Sequence, residues 1–416
     1  MALNAVPPEI LTQILSKVSC ISSLLRNRLV SRRFNVTIEW LCHRRHSLKL
    51  STHLLIRGQF NLHKYDQLKP IPKEKILILP IINHIESNFG QPSQQVDLHL
   101  EQAESLGRLF PRVRHLSLTL NGFSCSESTG TALEVLFGHW SETLTTLRMI
   151  SNFMDIYAPR IPFGAIISRL TALKSLSFST TSRPKDPHLA ASVLSQLEHF
   201  HYVRVNFSCS PITREEFEMF SYLGPSCGRL QYDYLMRGRE MRLLVSQLKP
   251  LVAGNLSELV LASVTTIEVV HLLCDHFTGL RRLELSFFCP TKQCNDRRMG
   301  FGRLCLISSQ TMLQLAKIVH LKVLILGHAE IDPSLFNDHT CIALKSVESF
   351  ELVNLHLTND DATTFQLEPF CQTFARYLPN LNEFVVQTYG SRLKVEEEEI
   401  KTNMNLFSKM VKHRFS

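Results

Sequence analysis

The residues able to do chemistry in this chain stand in a few local clusters. Gly224, Ser226 and Gly228 have the spacing of a nucleophile elbow, where a serine is exposed on a sharp turn between a strand and a helix. The surrounding pattern runs the other way. Residues 215–223 have helical periodicity and a strand-like segment follows them, so Ser226 is expected in an ordinary turn, which Pro225 suits. His271, Cys274 and His276 form a second group, with Cys289 and Cys294 beyond it. Zinc sites prefer tighter, paired spacings. Cys274 also sits beside Leu272, Leu273 and Phe277 in a helical pattern, which makes it a core residue. Cys42, His43 and His46 are a weaker grouping still. There is no phosphate-binding glycine loop, no dinucleotide fingerprint and no HExxH pair. The expectation is therefore a protein without catalytic residues, metal or cofactor.

The elements that would position any site are set by length and composition. At 416 residues the chain is too long for one compact core, unless it is an elongated repeat. Its 44% hydrophobic and 20% charged residues are those of a folded protein. No apolar run reaches the length of a membrane span. Pro7, Pro8 and Glu9 stand where a secretory signal needs an apolar core, so none is expected. The 11 cysteines are odd in number and lack CxxC pairs, which fits reduced thiols in cytoplasm or nucleus. Asn35, Asn206 and Asn255 match the glycosylation pattern, read here as chance. The net charge is +8, and residues 1–50, with eight Lys and Arg against two Asp and Glu, hold +6 of it. The +2 left for the other residues is too little for a phosphate-binding surface, so no nucleic-acid partner is expected.

Residues 1–48 read as three short amphipathic helices. Pro8 suits a first helical position and Glu9 the positive end of the helix dipole. Ile10, Leu11, Ile14, Leu15 and Val18 then share one face. Ser22 is a plausible N-cap for a helix carrying Leu24, Leu25, Arg28 and Leu29, and a third helix fits Arg33 to Leu41. This much apolar surface has to pack on the following domain or on another protein. Pro8, Glu9, Ile10, Leu11, Ile14 and Leu15, then Leu24, Leu25, Leu29, Val30, Ser31, Arg32 and Phe34, resemble the F-box, with Pro7 in place of its leading leucine. The resemblance covers about a tenth of the chain. It implies that Pro8, Ile10, Leu11, Ile14, Leu15, Leu29 and Val30 contact a Skp-family adaptor and, through it, a cullin.

Residues 49–95 read as a joint. A short strand is expected near Leu48–Leu50, a buried strand at Ile76–Leu79 and a short helix over Ile81–Phe89. Then Leu-x-x-Leu-x-Leu recurs, beginning at Val113, Leu144, Leu173, Leu197, Leu256, Leu280, Leu321, Val347 and Leu381. A degenerate copy lies near Leu230–Leu235, and residues 132–140, 269–277 and 370–377 have helical periodicity. One strand and one helix cannot form a core alone, but stacked units can. The pattern resembles the leucine-rich repeat over residues 96–390, with Asn121 and Asn152 at the family's Asn/Cys position. That implies an α/β solenoid with a parallel sheet on its concave face and helices outside. Residues 288–306 fit no repeat and read as a long loop; residues 391–416 read as a capping helix or tail.

Side chains flanking the second leucine alternate with the buried ones and face outward. They include His115, Arg148, His201, Arg282, Glu284 and Glu351 as substrate-facing residues. Together the resemblances imply a non-catalytic substrate receptor of a Skp–cullin–F-box ubiquitin ligase, with a protein substrate and no membrane. The competing expectation is a protein-binding scaffold whose N-terminal helices only cap the repeats.

Overall fold

A computed structural model describes residues 49–51, 84–89, 100–109, 113–120, 127–151, 163–180, 186–204, 214, 217–287, 306–328, 330–332, 335, 343–353, 373–374 and 376–387. The helices expected in residues 1–48, the strand at Ile76–Leu79, Asn121, Asn152, residues 288–305 and residues 391–416 lie outside them. Two compact units are present: residues 1–197 with 203–205, and residues 198–202 with 206–416.

In the first unit strands and helices alternate from the second strand onward. They are β1 (Lys49–Ser51), β2 (His84–Phe89), α1 (Leu100–Leu109), β3 (His115–Leu120), α2 (Glu127–His139), β4 (Thr146–Ser151), α3 (Phe163–Ile167) and β5 (Ser175–Thr180). A 3-10 turn at Pro187–Ala190 leads into α4 (Ala191–Ser195). The pairs β1–β2, β2–β3, β3–β4 and β4–β5 are all parallel. Between β2 and β5 the helices α1, α2 and α3 are the crossovers, since a parallel neighbour cannot be reached by a tight hairpin.

The second unit takes up His199–Tyr202 of β6 (His199–Arg204). It continues through a 3-10 helix (Glu218–Tyr222), β7 (Arg229–Met236), α5 (Gly238–Gln247), α6 (Pro250–Asn255), β8 (Glu258–Val264), α7 (Ile267–His276) and β9 (Arg282–Ser286). After these come β10 (Leu306–Ile307), α8 (Ser309–Leu315), β11 (Val323–Gly327), β12 (Glu330–Ile331), β13 (Ser349–Val353) and β14 (Glu383–Gln387). The order β7-β8-β9-β11-β13-β14 is parallel at every step. The short strands β10 and β12 pair with each other in a separate two-stranded sheet.

One expectation is corrected. The helix expected over Ile81–Phe89 is replaced at His84–Phe89 by a strand, β2. Ile85 stands in register with Leu50 on one side and Leu116 on the other. An extended backbone satisfies its amides on both neighbours, while Ser87 and Asn88 are weak helix formers. Parallel pairing is thus already present at Lys49–Ser51 and His84–Phe89, within the segment read as a joint.

What aligns the repeats is a recurring backbone contact. In eight copies among the described residues, the carbonyl of the first variable residue of Leu-x-x-Leu accepts two successive amides from the next strand. Arg114 accepts from Thr145 and Thr146, and Thr145 from Lys174 and Ser175. In the second unit Glu198, Gly228, Ser257, Arg281, Lys322 and Glu348 do the same, and all these bonds measure 2.7–3.2 Å. The contact also fixes the degenerate copy. It begins at Cys227, which occupies the first leucine position and is fully buried.

The leucines then stack. Leu116, Leu147 and Leu176 form one buried row and Leu118, Met149 and Phe178 the next. Leu230, Leu259, Leu283, Leu324 and Phe350 continue the pattern in the second unit, each at 1% exposure or less. Aromatic rings replace leucines in places. Phe200, Tyr202, Phe217, Phe220 and Tyr232 pack as a cluster with centroids 5.4–6.2 Å apart. At α8, Ser308 Oγ accepts from the Thr311 amide and the Thr311 hydroxyl accepts from the Ser308 amide, a reciprocal cap.

Candidate functional site

Opposite the leucine rows, each unit exposes ladders of side chains in register. In the first unit His115, Thr146 and Ser175 form one column and Ser117, Arg148 and Ser177 the next. Arg148 is exposed and stands between two short serines on the flanking strands. His115 is half-buried. Desolvation, with the neighbouring Arg114 guanidinium second, holds its pKa below the usual histidine value, so the ring is neutral at pH 7.

In the second unit one column reads Gln231, Val260, Glu284, Ile325, Glu351 and Val385, alternating polar and apolar across six strands. Val260 and Ile325 are only 5% and 9% exposed, because longer polar side chains flank each of them. The neighbouring column holds Arg229, Glu258, Arg282, Val323, Ser349 and Glu383. Arg229 pairs with Glu258 at 3.5 Å and Arg282 with Glu284 at 3.6 Å. Ser349 donates to Glu383 at 2.9 Å. At β6 and β7, His201 Nε2 meets Asp233 Oδ2 at 2.8 Å, and the Gln231 amide donates to both Asp233 oxygens at 3.2 Å. Asp233 therefore ties two strands together on the exposed face.

His115 and Arg148 thus lie on the first unit's face. Arg282, Glu284 and Glu351 come together in adjacent columns of the second, and His201 joins Asp233 there. Sequence reasoning missed Gln231 and Asp233. The signal was the repeat register at Cys227, which would have placed Gln231 beside the second leucine position and Asp233 just past the motif. The adaptor-contact residues Pro8, Ile10, Leu11, Ile14, Leu15, Leu29 and Val30 lie outside the described residues.

The other clusters resolve into structure. Ser226 occupies an exposed turn after the 3-10 helix and before β7, the reverse of the strand–turn–helix order an elbow needs. Cys274 is buried in α7 at 1% exposure, and burial pushes its thiol up to about 12. His276 is exposed and its Nδ1 lies 2.8 Å from the Leu272 carbonyl. Cys289 and Cys294 lie outside the described residues, as do Cys42, His43 and His46. No cluster of three metal-binding side chains occurs among the described residues. No helix among them is long and apolar enough to cross a membrane.

Neither a family model nor a curated protein matches the sequence. Some solved structures are similar to it. The leucine-rich repeat-containing protein LegL7 from Legionella pneumophila is 14% identical, with a TM-score of 0.43 over 79% of this chain and 90% of that one. The complex of Rad7 and Elc1 from yeast contains a chain 13% identical, with a TM-score of 0.36 over 76% of this chain and 65% of that one. A chain of the TLR13–ssRNA13 complex is 12% identical, with a TM-score of 0.36 over 74% of this chain and 47% of that one.

Proposed function

We propose that this chain is the substrate-recognition subunit of a Skp–cullin–F-box ubiquitin ligase. The repeats hold a protein partner and residues 1–48 dock on the Skp-type adaptor. The observation that carries the receptor half is the six-strand column from Gln231 to Val385. Alternating polar and apolar side chains in fixed register read a protein surface by contact and by charge together. The ligase half is supported by the F-box resemblance of residues 8–34. No chemistry is assigned to the chain itself. Its contribution is to raise the local concentration of substrate lysines near the charged conjugating enzyme, in cytoplasm or nucleus.

The test is a pull-down of the Skp-family adaptor by the full chain, beside a chain lacking residues 1–45. Adaptor retained by the full chain and lost on deletion is the expected result. Absence of adaptor from a folded full chain would leave a protein-binding scaffold without ligase association.

A further inference from the structure

A cavity of about 350 Å³ opens in the second unit where the turns before β9, β11, β13 and β14 meet. Its wall is cationic. Arg281, Lys322 and Lys345 line it with His320, and Glu348 is the carboxylate among the lining residues. Glu348 is already engaged, accepting from Lys322 Nζ at 2.9 Å. Val319, at 63% exposure, adds an apolar edge.

The backbone enforces this clustering. Arg281 and Lys322 hold the same repeat position on neighbouring strands, and their carbonyls each accept two amides from the following strand. Strand spacing then keeps the two backbones about 4.8 Å apart. The other described repeats carry Arg114, Thr145, Lys174, Glu198, Gly228, Ser257, Glu348 and Asn382 at this position. Among the described residues, Arg281 and Lys322 are the only cations on adjacent strands there. Lys345 reaches the same cavity from the turn before β13, and its carbonyl is held by Asn380 Nδ2 at 2.6 Å. Like charges gathered this way repel one another, and an anion between them would remove that repulsion.

We infer that this cavity takes the anionic side chain, carboxylate or phosphoryl, of a protein segment held by the repeats. The inference rests on the receptor reading above. A protein segment fits better than nucleic acid. The cavity admits one headgroup and its neighbours rather than a run of phosphates, and residues 51–416 carry only +2. Charge-assisted bonds from guanidinium and ammonium groups would hold the oxygens.

The experiment uses the full chain and fluorescence anisotropy. The probes are three labelled peptides of equal length, one Asp/Glu-rich, one carrying phosphoserine and one neutral with Asn/Gln, beside a single-stranded oligonucleotide. The variant is R281Q/K345Q, both side chains being exposed and apart from the carbonyl ladder. K174Q/K249Q, also exposed, is the control of equal charge. An anionic peptide is expected to bind about tenfold or more tighter than the neutral one. R281Q/K345Q should lose most of that advantage while its melting curve and the control's binding stay unchanged. The tighter of the two anionic peptides identifies the headgroup. Equal binding of neutral and anionic peptides, wild-type affinity in R281Q/K345Q, or tighter binding of the oligonucleotide would each overturn the inference. Loss of adaptor with R281Q/K345Q still defective would remove the ligase role and leave the cavity's. Adaptor retained with the variant unaffected would do the reverse.

Discussion

Two buried thiols show how position decides reactivity. Cys227 fills a leucine position and Cys274 packs within α7. Desolvation outweighs the lowering hydrogen bonds at Cys227 and raises its pKa to about 11; burial likewise takes Cys274 to about 12. Both thiols are protonated at pH 8, so maleimide labelling followed by peptide mapping should find them unmodified in the folded chain and modified after urea. The same shifts carry a pH dependence. An unfolded thiol ionises near 9. Between pH 9 and the folded values, the folded chain binds more protons than the unfolded one. Stability is therefore full below pH 9 and falls as pH rises toward 11 and 12, by at most about 1.4 kcal/mol per pH unit for each thiol. Urea melts at pH 8 and 10 should show this fall, and C227A should lessen it, leaving the Cys274 share, while lowering stability overall. Cys274 was legible as core from its helical neighbours. Cys227 was not, because its copy of the repeat lacks the leading leucine and only the backbone ladder reveals the register.

At the scale of the element, the leucine rows are continuous, so a single truncation is felt on both sides. Leu259 is fully buried between Leu230 and Leu283. L259A should cost about 2–5 kcal/mol, read as a lowered urea midpoint. Close approaches are a separate constraint. A Cβ on Gly164 in α3 would fall inside contact distance of the Asp186 carbonyl oxygen, just before the 3-10 turn at Pro187–Ala190. Asp186 itself adopts φ 49°, so the chain there has little freedom to retreat. G164A should therefore destabilise by about 1–3 kcal/mol despite its better helix propensity, which thermal melts would show. The strands were legible wherever two leucines marked them, as at Leu116 and Leu118 or Leu283 and Leu285. β2 was not, since Ile85 stands alone among polar neighbours and its strand character comes from the sheet on either side. The cationic cavity was missed for the same reason. Arg281 and Lys322 are 41 positions apart in sequence and become neighbours only through strand register.

For the molecule as a whole, the distribution of charge and apolar surface separates attachment from capture. Residues 1–50 hold most of the net charge, and the rest is close to neutral. Leu50 and Ile85 stand in register with Leu116 across β1, β2 and β3. An F-box would then place Ile10 and Ile14 against the adaptor, whereas a cap would turn them onto the repeats. I14D distinguishes the two. A carboxylate forced into an apolar contact costs several kcal/mol, enough to weaken adaptor binding by about a hundredfold or more. If that contact is with the adaptor, the variant loses the pull-down while its melting curve matches the wild type. If Ile14 caps the repeats, the charge falls on the fold itself, and the melting temperature drops by several degrees whether or not adaptor is present. The variant is better suited to this question than the deletion, because it leaves the length and helix count of the chain intact and changes only which surface tolerates a charge.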